Sequence, residues 1–103
     1  MIKHIVFFRF KENVNREERK SRAEELRAIF SPLEKLPSVH EYRVGINFSD
    51  SESAWDVAID SSFQSPEQLE EYRLSPEHQE AISRARKYAK EKSVIDYEYQ
   101  TRI

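Results

Sequence analysis

An imidazole and a phenol held side by side can share an acid–base reaction. The imidazole takes the proton, and the phenol hydrogen-bonds the oxygen on which charge develops. His78 and Tyr72 are candidates for these two roles, and His4 is a third polar group on a strand that could face His78. His78 stands three and four residues before Ala81 and Ile82, which turns it toward the apolar stripe of its helix. It also falls in the first helical turn after Ser75-Pro76, where the positive end of the helix dipole disfavours imidazolium. Both effects lower its pKa and keep it neutral near pH 7, as a general base requires. Tyr72 lies one turn beyond Leu69, so its ring points inward and its hydroxyl needs a partner. His4 shares a strand face with Val6 and Phe8 and approaches His78 if that face meets the helices. Each group also has a structural alternative: a histidine can cap a turn or be a satisfied core group, and an aromatic at helical spacing fills a core. His40 opens a strand beside Val39 and reads as a surface residue.

Composition removes several other chemistries. A length of 103 residues makes one domain, 1–103, and 38% apolar residues suffice for a core. Lys plus Arg number 17 and Asp plus Glu 19, a net charge of -2 that argues against nucleic acid. The absence of cysteine excludes thiolate catalysis, disulfides and cysteine-ligated metal. A single glycine, Gly45, excludes phosphate-cradling and dinucleotide-binding loops. His4, His40 and His78 lack metal-ligand spacing, so neither metal nor cofactor is expected. Asp56 and Asp60, four apart in a strand, are expected on one face as solvated carboxylates. Arg84, Arg86, Lys87, Lys90 and Lys92 are interrupted by Glu91 and read as a solvated face. The longest apolar run, Ile5–Phe8, cannot span a membrane, and the opening Met1-Ile2-Lys3-His4 is unlike a signal peptide, so a cytoplasmic protein is expected.

Periodicity supplies the elements that must position these groups. Residues 2–10 alternate as a strand covered on both sides. Asn15-Arg16-Glu17-Glu18 has capping-box form, and Ala23, Leu26, Ile29, Phe30, Leu33 and Leu36 continue as a helical stripe that Pro32 kinks or ends. Strands are expected at 39–48 and 54–61, the latter with Trp55, Val57 and Ile59 on one face and Asp56, Ala58 and Asp60 on the other. Ser65-Pro66 and Ser75-Pro76 each start a helical segment, the second carrying Ala81, Ile82, Ala85, Tyr88 and Ala89. Ile95, Tyr97 and Tyr99 alternate in a last strand. The order is β-α-β-β-α-β, an α+β ferredoxin-like fold with a four-stranded antiparallel sheet and helices on one face. The other face would expose Ile5, Phe7 and Ala58, inviting a second copy, with Arg9, Asp56 and Asp60 on that face paired or hydrated.

Three stretches resemble the stress-responsive dimeric α/β-barrel (Dabb) family. They are His4-Ile5-Val6-Phe7-Phe8-Arg9-Phe10-Lys11, the run from Phe63 to Tyr72 followed by Ser75-Pro76-Glu77-His78, and Ile95-Asp96-Tyr97-Glu98. The resemblance spans essentially the whole chain and implies a ferredoxin-like subunit that pairs into a dimeric barrel. It does not imply one function. In the branch that cyclises polyketides, the position of His78 is the base, that of Tyr72 assists, and that of His4 lies in the same pocket. A third-strand histidine of that branch is Val57 here and a first-helix tyrosine is Leu26, a departure that argues against the same substrate and leaves room for a more apolar ligand.

Two functions follow as expectations. One is a cofactor-free enzyme whose pocket, lined by Val6, Phe8, Leu26, Ile29, Phe30, Val57, Ile59 and Ile82, holds a small carbonyl compound beside His78, Tyr72 and His4. The other is a non-catalytic homodimer, a stress-associated binding or assembly protein whose pocket is filled by side chains or holds a passive ligand.

Overall fold

Local signals in the chain account for where the helices begin. Asn15 Oδ1 accepts the Glu18 backbone N–H at 2.8 Å, and Ser65 and Ser75 accept those of Gln68 and His78 at 3.2 Å each. Each cap satisfies an amide that has no partner within its helix. The computed structural model describes residues 1–10 and 15–101, which leaves Lys11 of the first-strand motif outside. The elements are β1 (Ile2–Phe10), α1 (Arg16–Phe30), a 3-10 segment (Ser31–Lys35), β2 (Glu41–Ile46), β3 (Val57–Phe63), α2 (Pro66–Leu74), α3 (Pro76–Ala85) and β4 (Ala89–Glu98). The four strands form one antiparallel sheet in the order β2-β3-β1-β4, the α+β ferredoxin-like arrangement expected. Pro32 falls in the 3-10 segment that follows α1, and Leu33 stays buried there.

Even-numbered residues of β1 face the helices. His4, Val6, Phe8 and Phe10 are buried, and Phe8 stacks on Phe30 of α1 with ring centroids 5.5 Å apart. Leu26, Ile29, Val57 and Ile59 close the same core.

Three local expectations need correction. The third strand begins at Val57, not at 54, because the alternation breaks between Asp56 and Val57, both of which are buried. Asp56 therefore does not share a face with Asp60. Its carboxylate turns inward, accepting the Phe10 backbone N–H at 2.8 Å and pairing with Arg19 of α1 at 2.7 Å. Asp60 lies on the open face, 3.0 Å from Lys3. Trp55, expected beside Val57, instead packs on Phe7 of the open face (centroids 6.4 Å) beneath the Arg9 guanidinium, 4.2 Å from the ring centroid.

The last helix and last strand also meet earlier than expected. α3 ends at Ala85, and β4 starts at Ala89 and pairs along the whole of β1, from Phe10↔Ala89 to Ile2↔Glu98. Its first half is an exposed edge rich in lysine, which guards against strand addition and does not show apolar alternation. β2 is shorter than expected, 41–46 instead of 39–48. Among the described residues, no helix is long and apolar enough to cross a membrane.

Candidate active site

Tyr72 reaches the sheet because Ser65-Pro66 starts α2 at a fixed point and Leu69 and Tyr72 form its buried side. Ser75 ends α2 and caps α3 at once, its hydroxyl donating to the Tyr72 carbonyl at 2.7 Å while accepting from His78 N. This single serine fixes His78 against Tyr72, with ring centroids 4.6 Å apart. His4 of β1 presents its ring to Tyr72 at 6.2 Å, edge to face. The three site residues read from the sequence thus form one contiguous cluster, completed by Phe63 at 5.1 Å from Tyr72.

The hydrogen bonds fix what each ring can do. Nδ1 of His78 lies 3.1 Å from the Arg73 carbonyl, which can only accept, so Nδ1 carries the proton and Nε2 keeps its lone pair in the neutral ring. Burial lowers the His78 pKa most strongly. The Arg73 carbonyl opposes that shift, and the positive charges of His4 (when protonated), Lys92 and Arg73 add to it. The result is an imidazole held neutral at pH 7. His4 is bound through Nδ1 by the Asp96 carboxylate of β4, which orients its ring.

The Tyr72 hydroxyl meets the Tyr42 hydroxyl of β2 at 2.9 Å, in a buried contact. Burial pushes the Tyr72 phenol up to about 12, partly offset by the Tyr42 bond. Burial likewise raises the Tyr42 phenol, with Tyr72 reinforcing the shift. Both are therefore neutral hydrogen-bonding groups. If Tyr42 donates to Tyr72, the Tyr72 proton is free for another oxygen.

Sequence reasoning missed Asp96 and Tyr42 as members of the cluster. Asp96 lies opposite His4 in the register, a pairing that exists only once β4 is placed beside β1. Tyr42 shares a strand face with Val44 and Ile46 and reads as an ordinary core residue. Of the expected pocket lining, Val6, Phe8, Leu26, Ile29, Phe30, Val57 and Ile59 are all closely packed in the core, and Ile82 is half-buried. Tyr72 itself is 1% exposed, whereas His78 is half-buried. Among the described residues, no three His, Asp or Glu side chains converge as a metal site. His40 is at the surface near Glu41.

The antiparallel ferredoxin-like sheet with helices on one face is the fold that the chain shares with solved structures. A dimeric ferredoxin-like protein of unknown function from Bacteroides fragilis superposes with a TM-score of 0.83 at 26% identity, covering 95% of each chain. A hydroxynitrile lyase from Passiflora edulis has the same fold, with a TM-score of 0.76 at 20% identity over 99% of this chain and 95% of that one. An uncharacterized protein of Streptomyces coelicolor is 32% identical over 101 residues, 96% of this chain and all of that protein. Residues 2–99 match the Stress responsive A/B Barrel Domain, and the chain belongs to that family.

Proposed function

We propose that the chain forms a homodimer in which each subunit carries a cofactor-free acid–base site for a small carbonyl compound. The observation that carries the proposal is the run of rings His78–Tyr72–His4, with the His78 Nε2 lone pair uncommitted to the backbone. In the proposed step, Nε2 takes a proton from the carbon beside the carbonyl, and the C–H electron pair moves into an enolate. The Tyr72 hydroxyl donates to the enolate oxygen, and His4, oriented by Asp96, completes the polar wall. The imidazolium then returns its proton, so the step consumes no oxidant, reductant or metal. The ligand would meet the half-buried His78 ring first, because the expected apolar lining residues other than Ile82 are packed in the core.

Self-pairing is supported by the open sheet face. Ile5 and Phe7 are half-buried there, and Ile95 and Tyr97 are 52% and 45% exposed. Its strand charges are already paired within the subunit: Lys3 with Asp60, Arg9 with Glu91 and Arg43 with Glu41. Among the described residues, these three cations are matched by three anions, so the pairs carry no net charge toward a second copy. The relative from Bacteroides fragilis is described as dimeric.

A second reading is favoured by one observation. Tyr72 is 1% exposed and its hydroxyl is already engaged by Tyr42, as in a filled pocket of a non-catalytic, stress-associated binding or assembly protein. The two are separated by incubating the wild-type protein with phenylacetone in deuterium oxide and with mandelonitrile, a cyanohydrin. The enzyme reading expects α-proton exchange or aldehyde release above the buffer rate, from a protein that light scattering finds dimeric. Buffer rates for both probes would favour the binding protein.

A further inference from the structure

The chain's only glycine has no use inside the subunit. Gly45 is exposed in β2, and a Cβ added there would meet nothing closer than the Ala58 carbonyl oxygen at 4.0 Å. Glycine weakens a strand interior and there often marks a place where another chain or ligand comes close. Register puts Gly45, Ala58, Phe7 and Ser93 in one row across all four strands on the open face. Three of these four are small, so the sheet sinks into a groove of about 460 Å³ walled by Phe7 and Trp55. Arg9 stacked over Trp55 holds that wall in place.

At the lip of the groove stands Phe48, two residues past the end of β2 and 97% exposed. A fully hydrated phenyl ring forgoes the hydrophobic gain of burial. Knob and hollow thus lie side by side on one face. A two-fold axis passing between them would bring each knob to the other subunit's hollow.

We propose that Phe48 of each subunit seats in the groove over Gly45 and Ala58 of the other, so that two reciprocal rings anchor the dimer. This rests on the dimer reading above and adds to it the residues that hold the dimer. Central aromatic side chains filling pockets dominate the energetics of such interfaces, whereas surrounding contacts mainly exclude water. The absence of a side chain at Gly45 leaves the room the incoming ring needs.

Sedimentation velocity over a concentration series on wild type, Phe48→Ala and Gly45→Val decides the matter, with circular dichroism as the control for folding. Phe48 is in a solvated loop and Gly45 faces open space, so both variant subunits should fold, and valine suits a strand better than glycine. The dimer dissociation constant is expected to rise at least tenfold in each variant. A folded Phe48→Ala protein that dimerises as tightly as wild type overturns the proposal, whatever Gly45→Val does. A wild-type chain that is monomeric throughout the series instead refutes the dimer reading. A groove that takes a free apolar molecule, or Phe48 of its own subunit, would leave both variants as dimeric as wild type.

Discussion

Replacing His78 with alanine is expected to cut α-proton exchange by roughly 10²- to 10⁴-fold, the range for loss of a positioned general base. The fold should survive, because the cap that starts α3 uses the His78 backbone N–H and the Ser75 hydroxyl, both kept in the variant. What disappears is the ring, its bond to the Arg73 carbonyl and its contact with Tyr72. Half-buried and in a helix, the site accepts alanine well. Turnover by wild type should fall toward acid as Nε2 is protonated, with a midpoint below the ordinary histidine value because burial lowers this pKa. A His78→Ala protein that melts like wild type and exchanges protons just as fast would remove His78 from the chemistry.

The largest stability effect is expected far from the cluster, at Asp56. Its buried carboxylate ties three elements together, binding the Phe10 backbone N–H at the end of β1 and the Arg19 guanidinium of α1 from just before β3. Asp56→Ala leaves a buried amide without its acceptor and removes a charge-assisted bond, together about 2–4 kcal/mol. Because Arg19 is 42% exposed, water takes over its charge, which keeps the loss below that of a fully buried pair. In a domain of this size the melting midpoint should drop by roughly 10–25 °C. Asp56→Asn keeps an acceptor for Phe10 and should lose about half as much. Calorimetry or urea unfolding measures both, and a change below about 0.5 kcal/mol for alanine would show that the carboxylate staples nothing.

Asp56 also shows where sequence pattern stops. Strict alternation in 54–61 placed it beside Asp60 as a solvated residue, whereas a specific inward ion pair broke the alternation at Val57. The helix-facing side of β1 and the three capped helix starts were legible, because caps and two-residue periodicity are local properties. The Ser75-Pro76 signal mattered most, since it fixed the turn that brings His78 onto Tyr72. The start of β4 was not legible: its lysine-rich edge is exposed and held by backbone bonds to β1, leaving no apolar rhythm. Tyr42 and Asp96 join the cluster only through long-range pairing, 30 and 92 residues from their partners. No local pattern encodes contacts at such separation.

The protonation of His78 also couples to stability, with a definite sign. Its folded pKa is depressed below the ordinary histidine value, so between the two pKa values the unfolded chain binds more protons. The group therefore leaves stability unaffected above about pH 6.5 and subtracts from it as pH falls below that value, until the folded pKa is passed.

The most direct test needs no substrate: a nitrogen-15 NMR titration of the His78 ring in the folded protein. The proposed site predicts a neutral ring protonated on Nδ1, with Nε2 unprotonated at pH 7 and a midpoint below 6.5, the ordinary histidine value. A ring carrying its proton on Nε2 at pH 7, or a midpoint at or above that value, would contradict the assignment of His78 as the base.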